Sequence, residues 1–202
     1  MSEAFQKPGA DPEEDTSLIK SFQTGRKAAF DQLVLKHQSR IFNLCYWYLG
    51  DEQEANDSAQ ETFVKAYRSL RSFRFESALS TWLYRIAVNT CKNKLKSSFY
   101  RHRAKAISIG NPGKRGEDSE AIDVPDDTPS PLKTLEKKER VQLIKAAIDS
   151  LPLEHKEVVN LRDIQGLTYE EISQITGLNL GTVKSRLARA RFELKGKLKD
   201  VI

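Results

Sequence analysis

The chain has 202 residues, 33 Lys and Arg against 28 Asp and Glu, a formal net charge of +5 and only two Cys. That length suits one medium domain or two small ones, and two Cys cannot staple it into a disulfide scaffold. The composition also excludes collagen-like, Pro/Gly-rich and wholly disordered classes, and no apolar run is long enough to cross a bilayer.

The opening segment, MSEAFQKPGADPEED, has neither a basic start nor an apolar stretch, so it does not read as a secretory signal. A reduced, cytoplasmic setting is expected. A weak helix is predicted around Leu18 to Phe22. A stronger one runs from about Lys27 to Leu49, with Phe30, Leu33, Val34, Ile41, Leu44, Cys45 and Tyr48 on one stripe of period 3.6, and stops at Gly50. Asp51 is placed to cap the next helix, which continues to about Arg71 and buries Ala55, Ala59, Phe63, Ala66 and Leu70. A loop from Phe73 to Leu79 follows. Ser80 or Thr81 then caps a third helix to about Lys96, whose inner face carries Leu83, Ala87, Val88, Cys91 and Leu95.

The charge pattern changes along the chain. From Ser77 to Gly116 there are nine Lys or Arg and no acid, from Glu117 to Asp127 six acids and no base, and from Lys184 to Lys199 seven bases and one acid. Two basic blocks on helices suggest polyanion contact at two places. The segment from about Tyr100 to Pro131 is rich in Gly and Pro and reads as a linker. Helical periodicity resumes with Val141, Ile144 and Ile148, breaks at Leu151-Pro152, and continues through Val158, Leu161 and Ile164 to Gly166.

The strongest local pattern is LTYEEISQITGLNLGTVKSRLARAR, 167–191. Thr168 and Glu171 form a capping box, Gly177 supplies a tight turn, and Asn179 caps a second helix to about Lys199. This is helix-turn-helix spacing. Val183, Leu187, Ala190, Leu194 and Leu198 share an apolar face, while Thr182, Lys184, Ser185, Arg186 and Arg189 lie on or beside a polar one. The arginines have the chemistry for guanine edges or phosphates in a major groove. On the third helix, Trp82, Arg85, Asn89, Lys92, Asn93 and Lys96 fall together, combining aromatic, amide and cation as single-strand capture requires.

Two segments in this order, 57–95 (DSAQETFVKAYRSLRSFRFESALSTWLYRIAVNTCKNKL) and 167–191, resemble domains 2 and 4 of bacterial extracytoplasmic-function sigma factors of the sigma-70 family, of the envelope-stress type. The resemblance implies an all-α protein of two small helical domains joined by a flexible linker. The expected limits are a flexible N-terminus over 1–15, domain 2 over 16–99, the linker over 100–131 and domain 4 over 132–202. It implies a non-enzymatic factor that binds core RNA polymerase through the β′ clamp helices and the β flap. Such a factor directs promoter recognition and melting for a stress regulon, and is restrained by an anti-sigma factor that can be membrane-anchored. By the same resemblance Asp57, Gln60, Glu61, Val64 and Arg68 bind polymerase. Phe73, Arg74, Phe75, Ser80, Trp82, Arg85, Asn89, Lys92, Asn93 and Lys96 take the −10 strand. Thr182, Lys184, Ser185, Arg186 and Arg189 read the −35 duplex.

Three positions depart from the family pattern: Phe75 replaces a usual Gly, Leu79 a common aromatic, and Leu180 a frequent Pro. They bear on promoter preference rather than on membership. No metal, cofactor or catalytic motif is expected: His37, His102 and His155 have no ligand spacing, and Cys45 and Cys91 are expected to pack as small hydrophobes. A stand-alone helix-turn-helix regulator and a helical adaptor remain as alternatives, opposed respectively by the 57–95 segment and by the basic recognition-type helix.

Overall fold

A computed structural model describes residues 12–97, 140 and 142–199. Among these residues all regular structure is helical. The expected linker and its acidic run lie outside the described residues.

Helix α1 (Pro12–Gln23) opens on Pro12 and three acids, Glu13, Glu14 and Asp15, which suit a helix N-terminus. It extends well beyond the expected Leu18–Phe22 turn and begins ahead of residue 16. Ile19 and Phe22 fix it to the core, and so does buried Asp15, which meets His37 at 3.1 Å and Lys36 at 2.8 Å. Burial alone would raise the Asp15 pKa, but its bonds to His37 and Lys36 outweigh burial and hold the carboxyl below its ordinary range.

Helix α2 (Ala28–Leu49) buries Leu33, Ile41, Leu44, Cys45 and Tyr48, as the stripe predicts. It ends where Gly50 turns left-handed at φ 70°, a conformation that a Cβ would penalise. Helix α3 (Glu52–Ser69) starts at once, because the Asp51 carboxylate accepts the Glu54 N–H at 2.9 Å. Its inner face is small (Ala55, Ser58, Ala59, Thr62, Ala66) apart from Phe63, so α2 and α3 can approach closely. A 3-10 turn at Leu70–Ser72 closes it.

Helix α4 (Leu79–Lys96) differs from expectation at its start. Ala78 occupies the N-cap without a side-chain cap, because Leu79 is buried and draws the helix back by two residues or more. Neither Ser80 nor Thr81 caps it, and Thr81 is buried inside the first turn. Cys45 and Cys91 are buried and free, packed as expected. The Cys91 thiol pKa is pushed far up by its hydrogen bond to Cys45 and by burial.

In the second group, residues 142–149 are helical (α5). They are followed by α6 (Leu153–Val159) and a π-helical turn, Asn160–Ile164, marked by the Gln165 N–H bonding the Asn160 carbonyl at 2.9 Å. That wider turn shifts the register, so Ile164, expected in the core, is 42% exposed while Leu161 and Leu167 are buried. Helices α7 (Tyr169–Thr176) and α8 (Leu180–Lys197) follow.

The two groups dock on one another. Tyr48 donates its hydroxyl to Glu157 at 2.9 Å, Lys92 pairs with the same oxygen at 2.7 Å, and Tyr84 donates to Gln165 at 3.0 Å. The buried apolar residues of both groups form one continuous core.

Candidate nucleic-acid interface

The helix-turn-helix forms where the capping logic puts it. Thr168 accepts the Glu171 N–H at 3.2 Å, and the Glu171 carboxylate accepts the Thr168 N–H at 2.7 Å. Gly177 turns left-handed at φ 73°, and the Asn179 side chain accepts the Thr182 N–H to open α8. Val183, Leu187 and Ala190 are fully buried against the other helices, whereas Leu194 and Leu198 are only half-buried, so the apolar seam of α8 fades toward its end. Burying Val183 and Leu187 contributes about 1.5–3 kcal/mol each.

The opposite face points outward. Lys184, Ser185 and Arg189 are exposed, and Thr182 is half-buried beside its cap. Arg186 is drawn aside by an ion pair with Glu154 at 2.7 Å. Arg191, near the same face, is engaged by Asp163, whose carboxylate holds the guanidinium pKa up.

A second site lies between the end of α3 and the start of α4. A cavity of about 500 Å³ is lined by Ser69, Ser72, Phe73, Arg74, Glu76, Ser77, Thr81, Trp82, Arg85 and Gln174. Phe73 and Trp82 meet edge to face at 5.2 Å, and Phe75 meets Phe73 at the same distance on its other contact. Trp82 is half-buried, with its inner part on the core and the cavity on the other side. Phe75 takes φ 58°, the one positive φ outside glycine among the described residues. That conformation costs an L residue about 1–2 kcal/mol.

Along the outer side of α4, Arg85, Asn89, Asn93 and Lys96 are exposed and form a polar row with half-buried Lys92. The structure thus brings Phe73, Arg74, Trp82 and Arg85 around one cavity. Asn89, Lys92, Asn93 and Lys96 continue away from it along the helix, and Ser80, half-buried, does not line it.

Among the residues at this site outside the expected set, two come from distant parts of the chain. Gln23, at the end of α1, donates to the carbonyls of Leu70, Arg71 and Phe73 at 3.3, 3.4 and 3.1 Å, and so fixes the turn that leads into the loop. Gln174 comes from α7 to close one wall. A polar residue ending a weak helix and a contact from a distant segment leave no periodic signal to read.

On α3, Asp57, Gln60, Glu61, Val64 and Arg68 are all exposed on one side, with Val64 48% open to solvent. Beside them a groove of about 470 Å³ runs between α2 and α3, lined by Val34, Gln38, Phe42, Asn56, Gln60 and Phe63 among others. An apolar floor with amide rims suits a protein helix. Among the described residues no cluster of His, Cys, Asp and Glu could hold a metal ion, and no helix is long and apolar enough to cross a membrane.

Two helical groups, one ending in a capped helix-turn-helix and one carrying an aromatic and cationic cavity, match two family descriptions. These are Sigma-70 region 2 over residues 33–98 and Sigma-70, region 4 over residues 142–194. The chain is 38% identical over 193 residues to the RNA polymerase sigma-H factor of Pseudomonas aeruginosa, covering 94% of this chain and 96% of that one. It is 36% identical over 188 residues to the ECF RNA polymerase sigma-E factor of Escherichia coli K12, covering 93% and 96%. Among solved structures, CnrH in complex with the cytosolic domain of CnrY superposes with a TM-score of 0.63 at 24% identity, covering 93% of this chain and 98% of that one. The sigma factor RpoE in complex with the anti-sigma factor NepR from Bartonella quintana gives 0.59 at 26% identity, covering 84% and 96%. The chain belongs to the extracytoplasmic-function group of the sigma-70 family, and is similar to its envelope-stress members.

Proposed function

We propose that this chain joins core RNA polymerase, directs it to promoters of a stress or envelope regulon, and opens them. Residues 16–99 serve as the polymerase-binding and −10 module, and residues 132–202 as the −35 module. The observation that carries the reading is the pairing of two different surfaces on one chain: an outward cationic helix face suited to a duplex groove, and a cavity whose aromatic and guanidinium walls suit an unpaired strand.

Each surface has a physical task. Thr182, Lys184, Ser185 and Arg189 read or anchor duplex, with Arg186 joining once it leaves Glu154. Phe73, Phe75 and Trp82 offer stacking surfaces, and Arg74, Arg85, Lys92 and Lys96 offer charge to a single strand, with Ser80, Asn89 and Asn93 beside them as hydrogen-bonding groups. Melting then needs no chemistry from this chain. Tighter binding of the extruded strand than of the duplex offsets the cost of unstacking, and the polymerase makes RNA. Asp57, Gln60, Glu61, Val64 and Arg68, with the α2–α3 groove behind them, form the polymerase contact. An anti-sigma factor is the expected regulator, supported by the likeness to the RpoE–NepR complex.

The docked arrangement bears on how this works. Glu157 holds Lys92, Glu154 holds Arg186, and Gln174 walls the cavity. DNA engaging those cations competes with contacts inside the chain.

The test is reconstitution: the protein, core polymerase and a genomic promoter library, with the run-off transcripts sequenced. Initiation from a defined promoter set is expected. Duplex binding without initiation would instead favour a stand-alone regulator, and neither outcome an adaptor.

A further inference from the structure

We propose that Gln23 is a positioning residue for promoter opening: from the end of α1 it holds the turn at 70–73, so that the single-strand cavity is shaped before a strand arrives. The inference rests on reading that cavity as the single-strand site. It goes beyond that reading by giving a share of the work to a helix outside the cavity wall.

Leu70–Ser72 is a 3-10 turn at the end of α3, where the last carbonyls of a helix run out of donors within it. The Gln23 amide supplies a donor from 47–50 residues away, to Leu70 at 3.3 Å, Arg71 at 3.4 Å and Phe73 at 3.1 Å. The shortest bond falls on Phe73, whose ring lines the cavity and stands 5.2 Å from Trp82. It grips Phe73 by the backbone and leaves the ring to the cavity. Within the loop the restraint is weaker: Arg74 and Glu76 meet at 4.0 Å with side chains 82% and 78% exposed, and such pairs add little. Gln23 is itself held in place. Its neighbour Phe22 is buried, 5.6 Å from Phe30 of α2 and 5.2 Å from Tyr67 of α3. At the other end of α1, Asp15 is tied to Lys36 and His37 of α2. Helix α1 is thus a strut anchored at both ends, with an amide at its tip set on the turn that leads into the cavity. A turn fixed in advance spares a binding strand the cost of ordering it.

The experiment uses holoenzyme formed from the full chain and core polymerase, with two probes cut from a promoter recovered by reconstitution: the unpaired −10 strand alone, and a −35 duplex that ends upstream of it. Gln23→Met keeps the length of the side chain and removes the donor. It should weaken binding of the unpaired strand about three- to tenfold, the worth of a hydrogen bond, and leave duplex binding within about twofold of the parent. Gln23→Glu turns the donor into an acceptor facing carbonyls and should lose at least as much on the unpaired strand. In the free chain, Trp47→Phe leaves Trp82 as the single tryptophan, and acrylamide should quench Trp82 more readily once Gln23→Met is added. If Gln23→Met binds the unpaired strand as the parent does while Arg85→Ala binds it weakly, the positioning role is wrong and the single-strand site stands. If neither weakens binding, the single-strand reading fails and the positioning role with it. Equal losses on both probes also overturn the role, because they mark a general weakening of the fold. So does a loss on the unpaired strand with Trp82 as shielded as in the parent, because the cavity would then be intact.

Discussion

Glu157 is the most informative residue to perturb, because it joins the two helical groups through a buried charge. It is 4% exposed, accepts the Tyr48 hydroxyl at 2.9 Å, and pairs with Lys92 at 2.7 Å. Glu157→Ala strips both donors of their acceptor. Breaking a buried pair from one side costs about 3–5 kcal/mol. The Lys92 side chain is 27% exposed and can turn to water, which places the expected loss near the lower end, about 3 kcal/mol. A double-mutant cycle separates the pair from the cavity left by truncation. Lys92→Met keeps the aliphatic stem, and Glu157→Gln keeps an acceptor for Tyr48. The coupling should be about 1.5–2 kcal/mol, in the lower range for hydrogen bonds to charged groups. Urea unfolding followed by Trp47 fluorescence reads it, since Trp47 sits beside Glu157 and Lys156 at this contact. A coupling below about 0.5 kcal/mol is what independent sites show. That result would mean the two groups do not dock through this pair in solution. Tyr48 adds an independent signature: burial first, then the Glu157 carboxylate, raise its pKa well above the ordinary value. The folded state therefore keeps a proton that the unfolded chain releases. This contribution is complete below the unfolded pKa of about 10 and is lost as pH rises above it. Tyr48→Phe should flatten that alkaline limb.

Asp15 gives the opposite sign, because its folded pKa is lowered by His37 and Lys36 despite burial. Its contribution is present above an unfolded pKa of about 3.9 and is lost as pH falls below it. Asp15→Asn should therefore lower stability at neutral pH and flatten the acid limb of a pH series of chemical melts. Leu187→Ala removes a side chain that is 2% exposed beneath the recognition-type helix. It should cost about 2–5 kcal/mol in the same melts, and weaken duplex binding through the fold of α8. Arg189→Ala should cost about 1–3 kcal/mol of −35 affinity if it reads a base edge, measured by fluorescence anisotropy against matched and mismatched duplexes. Glu154→Gln should strengthen duplex binding by releasing Arg186 from its 2.7 Å pair. No gain from Glu154→Gln together with no loss from Arg186→Ala would show that Arg186 does not contact DNA.

The local grammar of the chain was the legible part. Gly50, Asp51, Thr168, Glu171, Gly177 and Asn179 act within a turn of their own helix ends, and each does what its residue type predicts. The long apolar stripe of α2 was legible for the same reason. Features that depend on burial elsewhere differ from expectation. Leu79 starts α4 early because its neighbours bury it, so neither expected cap is used. A single π-helical turn moves Ile164 out of the core, and nothing in NLRDI announces a wider turn. The length of α1 rests on Asp15 meeting His37 and Lys36, a polar contact that an apolar pattern cannot show. At the cavity, Phe73, Arg74, Trp82 and Arg85 were visible as residue types. Gln23 and Gln174 were not, because they arrive from 50 residues before Phe73 and from the other helical group.

The same distinction changes how the net charge of +5 should be understood. Along the sequence, the acidic run between the basic blocks offsets part of their charge. In the fold, three of these cations are met by other acids: Lys92 by Glu157, Arg186 by Glu154, and Arg191 by Asp163. All three acids belong to α6 or the π-helical turn that follows it, the segment that docks against the first helical group. One short stretch thus holds a cation from each of the two surfaces proposed to meet DNA. Binding at either surface then carries a cost set by these pairs. The Glu157 pair is buried and the Glu154 pair half-exposed, so the cost is larger at the −10 side. On the proposed reading, duplex contact by α8 gives up less than single-strand contact at Lys92. Measured salt dependence should divide accordingly, with Glu154→Gln altering duplex binding and Glu157→Gln altering single-strand binding, each with little effect on the other.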